Sequence, residues 1–201
     1  MKKIVGLSVS VWVSAVLFAA WEPAPPKSNQ TQAQPTETPA KVGASTIAGT
    51  ITFDGKAPVL RPLAMDADPA CAMKHNGPVP AEMLVLGNGN TMGNVMVWGS
   101  KGLPAGKAWP APGTPVVLDQ KGCMYVPHVM GIMLGQTYRI FNSDGILHNI
   151  HTLPKINPSF NRAMPATLKE ATTAFNKPEA VFQIKCDVHP WMSAYIAVYT
   201  H

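Results

Sequence analysis

The stretch KCDVHPWMSAYIAV, residues 185–198, places Cys186, His189 and Met192 at three-residue intervals between two apolar runs. In the segment before it, strand alternation turns Cys186 to the same face as Ile184, toward a core. His189 and Met192 lie on the connection to the next apolar run. So short a connection brings the three side chains to one point only if it folds tightly around that point.

The donor set of a thiolate, an imidazole and a thioether suits copper better than magnesium, calcium or manganese. One more histidine would complete a trigonal set of one cysteine and two histidines with a long axial methionine. The stretch NSDGILHNIH, residues 142–151, offers His148 and His151 after a turn. Alternation along a continuing strand turns His151 to the opposite face from His148, so His148 is the predicted ligand. Zinc is the alternative metal, although zinc sites rarely include methionine.

The individual residues also have structural interpretations, because free cysteine and methionine are both common in protein cores. The combined spacing of Cys186, His189 and Met192 with the LHNIH stretch favours a metal site. For His75 and His128 a structural or surface role is favoured, and a second metal site built from them and from methionines stays open. The eleven methionines are spread along the chain, which favours core packing over copper storage.

The composition indicates an all-β domain. The 201 residues include 20 prolines and 16 glycines, which predict many short strands joined by turns. Such a pattern is typical of a two-sheet sandwich or barrel, and residues 87–111 are predicted to hold a short strand or a long loop. The strand candidates are residues 49–53, 81–87, 94–100, 114–120, 123–134, 136–144, 146–153, 179–186 and 193–200.

The N-terminal part divides into two segments before this domain. Residues 1–21 carry an uncharged apolar run over 4–21 behind two lysines, which predicts a signal peptide or an N-terminal membrane anchor. Residues 22–45 are rich in Pro, Gln and Thr, so a disordered linker is expected. The folded domain then spans 46–201. The net charge of +5 is scattered, which argues against nucleic acid as a partner.

With these residues in view, the sequence resembles the cupredoxin family of small blue copper proteins, with a plastocyanin- or amicyanin-like ligand pattern. The loop CDVHPWM is similar to the short ligand loop of amicyanin, and LHNIH is similar to the family's His-Asn-hydrophobic-His stretch. The resemblance implies a cupredoxin-like Greek-key β-sandwich or barrel. It implies one type 1 copper ion bound by His148, Cys186, His189 and Met192, with Asn149 tying the two ligand loops together near the thiolate.

The resemblance implies an electron carrier rather than an enzyme. The expected partner is a transient redox protein, such as a c-type cytochrome or a membrane-bound oxidoreductase, met in the periplasm or at the outer face of the cytoplasmic membrane. If residues 4–21 are retained, they provide the membrane contact. The imidazole edge of His189, with Trp191, is expected near an apolar docking surface. The alternatives are a copper-handling or copper-sensing module and an accessory domain of a copper oxidoreductase.

Three cysteines leave one unpaired in an exported protein, where disulfides persist. If Cys71 pairs with Cys123, Cys186 remains the free thiolate that a metal site needs. Either competing pairing would consume the ligand. The prediction is a Cys71–Cys123 disulfide.

Overall fold

The computed structural model describes residues 48–201 except 105 and 108. Short helical turns occur at Met65–Ala67 and Asn88–Asn90, both 3₁₀, and at Pro69–Ala72 (α1). The nine strands are Val116–Gln120 (β1), Tyr125–Val126 (β2), Val129–Met133 (β3), Tyr138–Asn142 (β4), His148–Thr152 (β5), Asn161–Met164 (β6), Glu170–Thr173 (β7), Glu179–Lys185 (β8) and Ser193–Tyr199 (β9). The predicted all-β class is confirmed.

The predicted N-terminal segment 1–21 and the predicted linker 22–45 lie outside the described residues. Among the residues that are described, no helix has the length and apolar character needed to cross a bilayer.

The strands form two sheets. One sheet has the order β2-β1-β4-β7, and the other has the order β3-β9-β8-β5-β6. Two pairs are parallel, β1 with β4 and β3 with β9, and the remaining pairs are antiparallel. The antiparallel pairing of β5 with β8 places the start of β5 beside the end of β8. His148 and Cys186 therefore meet at one end of the sandwich.

The hydrophobic core lies between the two sheets because each inner strand alternates buried and more exposed residues. Along β8 the alternation is regular from Phe182 onward, after an irregularity in its pairing with β9. Phe182, Ile184 and Cys186 are buried as the sequence predicts. Other residues of this core include Leu118, Tyr138, Ile140, Ile132, Ile150 and Ile196.

Three predicted strands are wrong. Residues 49–53, 81–87 and 94–100 form no extended ladder, and their strand-like pairing is confined to the bridges Thr52 with Thr91 and Leu86 with Met92. Pro78 and Pro80, just before the second segment, have no backbone N–H to donate to a sheet. Residues 48–115 are instead a largely irregular segment, here called the extension.

Two strands have no counterpart among the predicted ones. β6 and β7 are the edge strands of the two sheets, and each buries one side chain, Met164 in β6 and Ala171 in β7. Because an edge strand with one buried residue has almost no apolar alternation, its sequence carries no strand signal. The predicted strand 123–134 is divided into β2 and β3, and Pro127 lies at the division.

Candidate metal centre

Two connections at one end of the sandwich carry the predicted ligands. His148 is the first residue of β5, after the turn that follows β4. Cys186, His189 and Met192 lie between β8 and β9. Cys186 N–H donates to the Met192 carbonyl at 3.1 Å, and Met192 N–H donates to the His189 carbonyl at 3.0 Å. These hydrogen bonds close the ligand loop tightly.

His148, Cys186 and His189 form a compact buried cluster. One side-chain donor atom from each residue lies within 4.8 Å of the others. The Nδ1 atoms of His148 and His189 are 2.9 Å apart, and Cys186 Sγ is 3.8 Å from His189 Nδ1. The residues are 0%, 2% and 2% exposed, in that order. This arrangement gathers two imidazole nitrogens and one sulfur into one water-excluded site.

The Nε2 atom of each imidazole ring lies within hydrogen-bond distance of a carboxylate. His148 Nε2 lies 2.9 Å from Asp144 Oδ2, and His189 Nε2 lies 3.0 Å from Asp68 Oδ2. The carboxylates assign the ring proton to Nε2 in both histidines, which leaves both Nδ1 lone pairs directed at each other. Two lone pairs at 2.9 Å repel unless they share a cation, which is either a proton that can also hydrogen bond to Cys186 or a metal ion. The donors therefore fit a metal ion, since a carboxylate on the second ring nitrogen is typical of ligating histidines.

The environment of Cys186 favours its thiolate. Burial raises the pKa of the thiol, but hydrogen bonding with His148 and with the backbone N–H groups of Asn149, Val188 and His189 outweighs burial and lowers the pKa to about 7. The His189 N–H donates to Sγ at 3.4 Å. Because the thiolate is the form that binds metals, the site is prepared for a soft ion.

Charge also acts on His148 and Asp144. Burial lowers the pKa of His148, but Asp144 and Cys186 outweigh burial and raise it. Burial raises the pKa of Asp144, whereas His148, the backbone N–H groups of Cys123 and Gly122, and Lys74 together lower it to about 2. Asp144 is therefore charged at neutral pH and stabilises a cationic centre beside His148.

Met192 and Asn149 are the other two residues of the predicted set. Met192 is 1% exposed and ends the same loop as Cys186. The Asn149 side chain accepts the Asp187 N–H at 2.6 Å and donates to Asn161 Oδ1 at 2.9 Å. It thus joins the His148 strand to the ligand loop, one residue beyond Cys186.

The remaining histidines of the described region lie outside this cluster. His151 faces the other way and pairs with Asp187 at 3.0 Å. His75 Nε2 lies 2.7 Å from the Gly122 carbonyl, to which it donates. His128 lies near Glu82, with 3.3 Å between Nδ1 and Oε2. His201 Nε2 lies 2.8 Å from the Gly99 carbonyl. None of these four histidines contributes a donor atom to the cluster of His148, Cys186 and His189.

The His189 edge is expected near an apolar docking surface, but the ring is itself buried. The extension covers it, because Asp68 contacts Nε2 and Cys71 Sγ lies 3.6 Å from the same nitrogen. Cys71 forms the predicted disulfide with Cys123, and Cys186 is free. The ring of Trp191 packs on His189 with 5.1 Å between centroids. Trp191 is partly exposed, so it is the more accessible aromatic residue of the loop.

Sequence reasoning missed both supporting carboxylates. Asp144 precedes His148 by four residues within a turn, and that short spacing was a usable signal. Asp68 is 121 residues from His189, and no local pattern links the two.

No family model and no curated protein matches the chain. Solved structures do match it. Amicyanin from Paracoccus versutus is 22% identical, with 44% of this chain and 84% of that chain covered and a TM-score of 0.38. A purple cupredoxin from Nitrosopumilus maritimus is 21% identical, with 42% and 99% covered and a TM-score of 0.35.

A copper-containing nitrite reductase from Thermus scotoductus is 22% identical, with a TM-score of 0.39. The match covers 50% of this chain and 25% of that chain. In this protein, β1 to β9 form two sheets with parallel β1–β4 and β3–β9 pairs, and the Cys186 loop joins β8 to β9 at one end. The domain has a cupredoxin-like fold.

Proposed function

We propose that this domain is a mononuclear type 1 copper protein that carries single electrons between redox partners. The observation that carries the proposal is the pair of Nδ1 atoms of His148 and His189, 2.9 Å apart, with the Cys186 sulfur beside them. Both rings are fixed by carboxylates so that their lone pairs converge. A thiolate with two imidazoles and a nearby thioether is the donor set of a blue copper site.

His148, Cys186 and His189 would hold the ion through two imidazole nitrogens and a thiolate, and Met192 would add a weakly bound thioether. Copper would supply reversible one-electron chemistry at this position. The protein's contribution is a buried and rigid set of donors. Asp144 and Asp68 fix the ring orientations, and Asn149 fixes the ligand loop against β5. Fixed donors limit the rearrangement between two oxidation states, which favours electron exchange.

A carrier is favoured over an oxidase because an oxidase needs further histidines for a catalytic copper. Within residues 48–201, apart from the two undescribed positions, every group of three His, Cys or carboxylate donors includes His148 or His189. His75 and His151 instead contact a carbonyl oxygen and a carboxylate, respectively.

We propose an extracytoplasmic location, either periplasmic or tethered to the outer face of the cytoplasmic membrane, and a transient redox protein as the partner. The apolar run at 4–21 and the disulfide support export. Because His189 is covered, Trp191 is the proposed contact point on the ligand loop. Small, weak interfaces suit such an exchange.

Copper(II) titration tests the metal assignment. The protein should bind one copper and gain an intense visible charge-transfer band from the Cys186 thiolate. Cys186→Ser should abolish the band because an alcohol oxygen is not a soft, strongly donating ligand. Met192→Leu should retain the band and mainly change the reduction potential, since the axial thioether bonds weakly.

His151→Ala is the matched control for His148→Ala, since the two histidines lie on the same strand and face opposite ways. The His151 variant should keep the band and the His148 variant should weaken or lose it. The reverse result would contradict the ligand set. Stopped-flow reduction by a c-type cytochrome then tests the carrier role, which slow or absent electron exchange would contradict.

A further inference from the structure

A cavity of about 650 Å³ lies beside the ligand loop, between the extension and the second sheet. Its lining is rich in methionine. Five of the eleven methionines of the chain contact this single cavity. They are Met83, Met92, Met96, Met124 and Met192.

Met192 belongs to the hydrophobic core, but Met83, Met92 and Met124 are not fully buried. Met83 is 84% exposed, whereas Met65, Met130 and Met164 are buried and account for methionine packing elsewhere in the described fold. Met92 and Met124 are partly exposed. Because burial does not explain an exposed thioether, the gathering of these side chains around a solvent-accessible cavity needs another explanation.

An imidazole without a hydrogen-bond partner lines the same cavity. The His128 side chain is 10% exposed, and its Nδ1 atom is buried and makes no hydrogen bond. Glu82 also lines the cavity, and its carboxylate oxygen lies 3.3 Å from that nitrogen. The long contact with Glu82 leaves this buried nitrogen without a well-formed hydrogen bond, so a further partner would stabilise it.

We propose that this cavity binds a soft monovalent cation, copper(I), through the thioethers of Met83, Met92 and Met124 and the imidazole of His128; the Met96 sulfur instead accepts a hydrogen bond from the Tyr199 hydroxyl at 2.8 Å. Thioether sulfur selects copper(I) over hard ions. The Glu82 carboxylate adds a compensating negative charge. Several thioethers with one nitrogen donor and one carboxylate suit a soft cation better than a hard one.

The site is separate from the His148, Cys186 and His189 cluster, but it adjoins the same loop. Met192 and Trp191 line the cavity wall and belong to the connection that carries Cys186. A cation held here would therefore lie next to the proposed blue copper centre. Cation binding here does not depend on the function of that centre, because none of the three thioether ligands belongs to it.

Silver(I), a soft and redox-inert substitute for copper(I), tests the proposal in halide-free buffer. Calorimetric titration is carried out with the Cys186→Ser protein, in which the strongest donor of the other centre is absent. Adding Met83→Leu and Met92→Leu should weaken silver binding by at least the roughly tenfold that a supporting residue contributes to a metal site. Leucine conserves volume and apolar character, so the fold is retained.

The matched control adds Met73→Leu and Met133→Leu to the same Cys186→Ser protein. These two residues are the same type, one exposed and one partly buried, and neither lines the cavity. Silver affinity should be unchanged in the control. Remaining donors such as His148 contribute equally to all variants, so the difference reports on the cavity alone.

Equal silver affinity in the cavity variant and its Cys186→Ser parent would overturn the proposal, as would an equal loss in the control. The blue band of the wild-type protein is a separate measurement. If the cavity binds no cation, the blue band of the wild-type protein should still appear. If the blue copper assignment is wrong, the band should be absent while silver still binds at the cavity.

Discussion

The two histidines of the candidate metal centre are supported by different parts of the molecule. His148 is supported by Asp144, which belongs to the β4–β5 turn and has a side chain that is 3% exposed. Asp144 also accepts hydrogen bonds from the backbone N–H groups of Gly122 and Cys123, both at 2.7 Å. His189 is supported by Asp68 of the extension, whose side chain is 35% exposed.

This difference shows that the sandwich builds one side of the centre and the extension covers the other. On the His148 side, the histidine belongs to strand β5 and its carboxylate belongs to the turn that precedes this strand. The His189 side depends on how firmly the extension is attached, through the Cys71–Cys123 disulfide and through contacts of Lys74 with Asp144. Disturbing the extension should therefore affect His189 first, and disturbing Asp144 should affect the stability of the fold.

Removing the disulfide should have the largest effect. A Cys71→Ala/Cys123→Ala variant opens a loop with a sequence separation of 52, which predicts a loss of about 4 kcal/mol in the free energy of unfolding. Urea denaturation measures this loss. Limited trypsin digestion should also cleave the variant faster after Lys74, because the extension is released while the sandwich stays folded.

A loss below about 1 kcal/mol, far under the loop-closure expectation, would show that packing alone attaches the extension. Unchanged cleavage after Lys74 would show that the cover over His189 does not need the bridge. Either result would remove the distinction between the two sides of the centre.

Asp144→Asn should have the next largest effect, measured by denaturation of the metal-free protein. The pKa of the folded carboxyl is about 2 and its ordinary value is 3.8. Because folding lowers this pKa, the Asp144 carboxylate stabilises the fold at pH values above the pKa of the unfolded chain. That stabilisation is lost as the pH falls through the pKa of the folded protein. The wild-type protein should exceed the variant by about 2 kcal/mol at pH 7. The difference should decrease between about pH 4 and pH 2.

Asp54→Asn is the control, since Asp54 is an exposed aspartate of the extension. Its unfolding free energy should match that of the wild type at both pH values. A difference for Asp144→Asn that persists unchanged at pH 2 would contradict the electrostatic explanation and point to lost packing.

The sequence predicted the parts of this centre that depend on local spacing. Cys186, His189 and Met192 share one short loop, and strand alternation separates His148 from His151. β6 and β7 escaped prediction because edge strands bury too little to leave a periodic signal. The strands predicted in the extension were wrong for the opposite reason. Apolar residues at 81–87 give a strand-like signal, but they line a cavity and not a sheet.

The cover over His189 and the methionine cavity could not be predicted, because both depend on where the extension folds back. Asp68 meets His189 across 121 residues. Met83 and Met124 are 41 positions apart in the sequence and line one cavity. Neither contact has a characteristic spacing. The dispersed methionines indicated core packing until their side chains were placed around a common space.

Asp68→Asn should have the smallest effect on stability and a specific effect on the metal centre. Asparagine is as good a helix N-cap as aspartate, so the hydrogen bond from Ala70 N–H, now 2.9 Å, should persist. The charge beside His189 Nε2 is lost, however. A carboxylate there favours the more positive oxidation state, so the copper-loaded variant should show a raised reduction potential.

Spectroelectrochemical titration measures that potential, and Asp66→Asn is the matched control. Asp66 lies two residues away in the extension and is exposed. Because Asp68 touches the ring nitrogen at 3.0 Å, its effect on the potential should exceed that of Asp66, which solvent screens. Equal shifts in the two variants would mean that only general surface charge acts on the centre. A lowered potential in Asp68→Asn would mean that Asp68 does not support His189 as a carboxylate.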